Sequence, residues 1–199
     1  MYQKYDNKFQ KMVYTLYPGE YYYSKEDVLI YTVLGSCISV CLYDAKNNVG
    51  GMNHFMLSGF SNLTQGFHAP DAQNTRYGMA AMEMVINGIM KLGGDRKNFR
   101  AKVFGGSNMI KHSTGVSGIA DGNIDFAKWF LNSECIPVDS IDVGGDRARK
   151  VYFNPFDGKA FLKHIEPTST DLSAEIAYEK QTLARRKEEK KDEGDIELF

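Results

Sequence analysis

Three apolar runs of strand length, residues 28–33, 38–43 and 49–57, follow one another with little between them. Runs this short, rich in Val, Ile, Leu and Tyr, suit half-buried or buried strands better than helices. The second and third runs are joined by Asp44-Ala-Lys-Asn-Asn48, a cluster of turn-forming residues, so the pair reads as a β-hairpin. That hairpin commits the chain to a sheet-building architecture. Further strands are expected over residues 101–104, ending at Gly105-Gly106-Ser107-Asn108, over 137–143, and over 150–154 and 159–164 around the turn Asn154-Pro-Phe-Asp-Gly158. Residues 1–27 are rich in Tyr and read as a leading arm with one edge strand.

Two segments change to a helical period. Met82, Val85, Ile86, Ile89 and Met90 fall on one helix face, with Gly93 placed to cap its end. A second helix is expected over 123–133, with Ala127, Phe130 and Leu131 facing inward. Strands with interspersed helices point to a mixed α/β (α+β) class with mainly antiparallel strands and two or more packed helices.

The chain's 199 residues fit one domain, expected over 1–166. Residues 167–199 read as a charged extension, helical or disordered, whose apolar face is thin (Leu172, Ile176, Leu183). With 24 basic and 25 acidic residues, the chain has no general attraction to nucleic acid or to an acidic membrane. Residues 28–42 are too few and too polar to span a bilayer, and Met1-Tyr-Gln-Lys-Tyr-Asp6 lacks a signal-peptide core. Three Cys make no disulfide framework. A cytoplasmic, reducing location is expected.

Chemistry is concentrated at Leu34-Gly-Ser-Cys37. A strand ends, Gly35 allows a sharp turn, and Cys37 heads the next strand beside the backbone N–H groups of Gly35 and Ser36, an oxyanion-binding arrangement. A hairpin centred on Ala45-Lys46 sets Cys37 directly opposite His54, whereas one centred on Asn47-Asn48 sets Cys41 there. The adjacent Gly favours Cys37, and Cys41 reads as packing. No metal is expected: two Cys four apart on a strand are separated by about 13 Å and cannot share an ion. Gly105-Gly106-Ser107 and Gly144-Gly145-Asp146-Arg147 lack the pattern of a phosphate-binding loop. They read as tight turns, the first also as a lining of the thiol's cleft. His68, His112 and His164 read as surface residues.

Several blocks resemble the chemoreceptor glutamine deamidases of bacterial chemotaxis, the CheD family. They are Leu34-Gly-Ser-Cys-Ile-Ser-Val-Cys-Leu-Tyr-Asp44, Gly50-Gly-Met-Asn-His-Phe-Met-Leu57, Arg76-Tyr-Gly78, Lys102-Val-Phe-Gly-Gly-Ser107 and Val143-Gly-Gly-Asp-Arg-Ala-Arg-Lys150. The family's Gly-x-Arg-Asn segment reads Ala120-Asp-Gly-Asn123 here. The resemblance implies a mixed α/β sandwich and a Cys, His and Thr catalytic set, with Cys37 and His54 on the first two positions. For the third, Thr32 and Tyr31 are neighbours that face opposite ways on a strand. Thr32 is preferred because a short hydroxyl can accept from an imidazole N–H. The implied activity is conversion of receptor glutamine to glutamate through a Cys thioester, without a cofactor. Implied partners are the cytoplasmic domains of methyl-accepting chemotaxis receptors and a CheC-type phosphatase. A non-catalytic docking partner of such a phosphatase, or a general thiol amidase or peptidase, are the alternatives.

Overall fold

A computed structural model describes residues 1–57, 72–108 and 119–166, together with positions 172, 173, 176–178, 180, 181 and 184. Ten strands run in chain order as β1 (Tyr2–Asp6), β2 (Lys11–Thr15), β3 (Tyr21–Ser24), β4 (Leu29–Leu34), β5 (Ile38–Asp44), β6 (Val49–Asn53), β7 (Arg100–Gly105), β8 (Val138–Val143), β9 (Ala148–Phe153) and β10 (Ala160–Ile165). Helix α1 (Ala72–Lys91) precedes β7 and α2 (Ile119–Ser133) precedes β8. The strands form two five-stranded sheets, ordered β1-β2-β4-β9-β10 and β3-β6-β5-β7-β8. Among the described residues only β2/β4 and β7/β8 pair in parallel. The fold is an α+β sandwich, as the family resemblance implied. No helix among the described residues is long and apolar enough to cross a membrane.

Alternation along β5 and β6 divides the core in two. Ile38, Val40 and Leu42 face the helices and pack with Met82, Val85, Ile86 and Ile89 of α1 and Phe126, Ala127 and Phe130 of α2. Cys37, Cys41, Tyr43 and Met52 face the other sheet and pack with Ile30, Leu34, Val151 and Phe153. Helix α1 ends where Gly93 takes φ +98 and its N–H bonds the Met90 carbonyl at 3.0 Å. Gly78 lets α1 approach α2 closely, since a Cβ there would come within 2.5 Å of the Phe126 ring.

Two expectations need correcting. The Tyr-rich leader supplies three strands rather than one, β1 and β2 to the first sheet and β3 to the second. The hairpin follows neither expected register: Asp44 pairs with Val49 and Cys41 with Met52, so the turn centres on Lys46-Asn47. The buried Asp44 carboxylate sets it, accepting from Lys46 N (3.0 Å), Asn47 N (3.2 Å) and Asn47 Nδ2 (2.6 Å), with Asp95 N at 2.9 Å. Burial works to raise the Asp44 carboxyl's pKa, but these bonds outweigh it and hold it below the usual carboxylate value. In the extension, Leu172 is buried and Tyr178 packs against the inter-sheet core.

Candidate active site

Beyond Cys41 and Met52 the β5/β6 ladder is interrupted. The Asn53 side chain enters it, its Oδ1 accepting from Val40 N at 2.9 Å while its Nδ2 donates to Ala81 O of α1 at 3.1 Å. Pairing resumes once, where Ile38 and Phe55 exchange both backbone bonds at 3.0 Å. Cys37 and His54 immediately precede these two residues, so they sit diagonally across the bonded pair. Both point from the same side of the second sheet, toward the first. Diagonal neighbours of this kind have Cα atoms about 7–8 Å apart, within reach of an imidazole. Direct opposition, expected from the hairpin centred on Ala45-Lys46, is not what forms; Ser39 is the residue across from His54.

The backbone of His54 is held by the loop before β3. Its N–H donates to Glu20 O at 2.9 Å and its carbonyl accepts from Gly19 N at 2.7 Å. Its ring meets Thr32, on β4 of the opposite sheet: Thr32 Oγ1 lies 2.7 Å from His54 Nδ1 and 2.9 Å from Leu16 O. A hydroxyl carries one hydrogen, which the Leu16 carbonyl must receive. At His54 the hydroxyl therefore accepts, Nδ1 carries the proton, and Nε2 is the basic nitrogen. Tyr31 turns the other way and packs on Tyr152, ring centroids 4.5 Å apart.

Cys37 is 0% exposed and His54 2%. The sequence suggests a thiol beside a cleft; the thiol itself is fully buried in the inter-sheet core. Cys41 is equally buried, and burial pushes its thiol above the ordinary range, against smaller opposing effects from Lys102 and Ser39. Cys135 is exposed.

Gly105-Gly106-Ser107 engages Cys37 through backbone. Gly106 N donates to Cys37 O and Ser107 N to Gly35 O, each at 2.7 Å. These two N–H groups brace the thiol's loop. Gly105, at φ +115, approaches so closely that a Cβ would lie 2.3 Å from Cys37 O. Two residues behind this brace carried no assigned role in the sequence. Arg149, 3% exposed, bonds Asp142 Oδ1 (2.6 Å), Ser107 Oγ and Gly144 O (2.7 Å), joining both glycine turns. Asn123 of α2 donates to Ser36 O at 2.9 Å and accepts from Leu57 N at 2.8 Å. The only sequence signal for either was its place in a family-like block. His164, read as a surface residue, lies 3.3 Å from Asp142 Oδ2; His68 and His112 fall outside the described residues. Among the described residues no three His, Cys, Asp or Glu side chains are grouped to hold a metal ion.

A family model described as CheD chemotactic sensory transduction matches residues 61–164. Near full-length similarity extends to curated proteins. One from Janthinobacterium sp. (strain Marseille), named a probable chemoreceptor glutamine deamidase CheD, is 37% identical over 98% of this chain and 93% of its own length. One from Shewanella oneidensis, named a probable chemoreceptor glutamine deamidase CheD 1, is 40% identical over 98% of this chain and 91% of its own. A crystal structure of the Bacillus licheniformis hypothetical protein YfiH aligns with 61% of this chain and 49% of its own at 13% identity and TM-score 0.38, a likeness too slight to bear on function.

Proposed function

This chain belongs to the CheD chemotactic sensory transduction family, and from that premise we propose that it is a protein-glutamine deamidase acting on glutamine side chains in the cytoplasmic domains of chemotaxis receptors. Cys37 is the nucleophile, His54 the general acid and base, and Thr32 the group that orients it. The observation that carries this reading is the inter-sheet contact of Thr32 with His54 Nδ1, with Leu16 taking the hydroxyl's proton. It leaves Nε2 as the proton acceptor on the side of the sheet that bears Cys37.

A thiol with a pKa near 8.5 is only slightly ionised at neutral pH, and burial lowers that fraction further. A neighbouring imidazole reverses this by taking the proton. His54 Nε2 removes the Cys37 proton, and the thiolate attacks the glutamine side-chain carbonyl carbon. N–H groups of the Gly35–Cys37 segment receive the developing oxyanion. His54 then gives its proton to the departing ammonia, and a thioester remains. It next takes a proton from water, which attacks the thioester to yield glutamate, and Cys37 leaves with that proton. Every electron pair is supplied by the thiol, imidazole or water, so no cofactor enters. The reading places the protein in the cytoplasm, where its free cysteines stay reduced, and implies a CheC-type phosphatase as a second partner.

The test is incubation with receptor cytoplasmic domains, followed by peptide mass mapping. Glutamine-to-glutamate conversion by wild type and none by Cys37→Ala is expected. Equal conversion by both overturns the mechanism; conversion of unrelated peptides at the same rate makes the protein a general thiol amidase; no conversion at all removes the deamidase reading.

A further inference from the structure

Asn123 stands where local preference does not call for it. Asparagine is a weak helix former, yet this one lies within α2 and is 0% exposed. A buried amide is tolerated only where its polar atoms are paired. Its two partners are telling: Nδ2 donates to the carbonyl of Ser36, directly before Cys37, and Oδ1 accepts from Leu57, three residues after His54. Because one partner can only accept and the other can only donate, the amide's orientation is determined. Asn123 thus ties together the two segments that carry the thiol and the imidazole, on the far side of the single Ile38–Phe55 bridge that also joins them. In a trans peptide the carbonyl and the following N–H point opposite ways. Drawing the Ser36 carbonyl toward α2 therefore turns the Cys37 N–H away from it.

We propose that Asn123 is a positioning residue for the thiol chemistry: its amide sets the spacing of the Cys37 and His54 segments and the direction of the peptide plane carrying the Cys37 N–H. The proposal rests on Cys37 and His54 being the reacting pair. It requires the donor toward Ser36 as much as the acceptor toward Leu57, and that asymmetry makes it testable.

Asn123→Asp keeps the acceptor for Leu57 N–H but, as a carboxylate, offers Ser36 no hydrogen. Protonated, it donates again, and a buried site favours the protonated form. Two rates are measured across mildly acidic to mildly alkaline pH on full-length protein, at a temperature where circular dichroism shows both variants folded. One is receptor deamidation; the other is alkylation of Cys37 by iodoacetamide, located by peptide mapping, which needs no receptor. The variant-to-wild-type ratio is expected to be well below one at alkaline pH and to climb as pH falls, while Asn123→Leu stays low throughout. A ratio that does not move with pH in either readout, with or without a lowered melting temperature, overturns the proposal. If wild type deamidates no receptor, the proposed function fails, and the alkylation ratio still decides the role of Asn123. Should Asn123→Asp not fold, Asn123→Ser, whose hydroxyl is too short to reach both partners, is expected to lower kcat for the receptor with KM unchanged. A wild-type kcat overturns the proposal.

Discussion

Cys37 and Cys41 lie four residues apart, on the same side of the second sheet and in the same inter-sheet core, and both are 0% exposed. Around Cys41 the sheet is regular: the residue pairs with Met52 on one side and Lys102 on the other. Around Cys37 the β5/β6 ladder has given out and the β5/β7 ladder ends at the pair Ile38 and Gly105. Its carbonyl is held by Gly106 N–H, the preceding carbonyls by Asn123 and Ser107, and its neighbour Ile38 by an isolated bridge to Phe55. Burial alone therefore does not distinguish a packing thiol from a reactive one. What differs is that the peptide planes at Cys37 are oriented by individual contacts, and that an imidazole with an assigned tautomer faces the same layer.

The comparison breaks most visibly at the thiols themselves. Cys37→Ala is expected to abolish receptor deamidation and Cys41→Ala to retain it, as measured by mass mapping of the product. Both substitutions remove a fully buried sulfur, so each should lower stability by about 1 kcal/mol in denaturant unfolding; stability does not separate the two thiols, whereas turnover does. His54→Ala should lower kcat/KM about 10²- to 10⁴-fold. Thr32→Ala should cost less than that, because it orients a base without being one, and Thr32→Ser should recover most of the loss by restoring the hydroxyl. Equal losses for Thr32→Ala and His54→Ala would instead put Thr32 in the chemistry. The mildest contrast is in labelling. Burial raises the Cys41 thiol, so at a mildly alkaline pH where an ordinary thiol begins to ionise it stays protonated. Iodoacetamide should then modify Cys135, which is exposed, and the buried Cys37, whose proton His54 takes, while Cys41 remains unlabelled in peptide maps of the folded protein.

Much of this contrast was legible in the chain. Apolar runs located β4, β5 and β6, the nearby Gly35 marked Cys37 over Cys41, and the opposite facing of neighbours on a strand separated Thr32 from Tyr31. The register was not legible, because it depends on Asp44 collecting donors from its own turn and from distant Asp95, and on Asn53 replacing a backbone acceptor with a side-chain one. Nor were Asn123, whose partners Ser36 and Leu57 lie 87 and 66 positions away, and the link from Arg149 to Ser107 across 42 positions. The Tyr-rich leader misled for a related reason. β2 pairs in parallel with β4, passing over β3, which joins the other sheet, and local composition carries no information about such a crossover.

The central claim is that a covalent thioester forms at Cys37. Wild-type protein turning over a receptor cytoplasmic domain can be quenched in acid, which preserves thioesters, and the cross-linked peptides identified by mass spectrometry. A receptor glutamine position joined to Cys37 through a hydroxylamine-sensitive bond is the expected result. A link at Cys41, or product formed by Cys37→Ala at the wild-type rate, would contradict it.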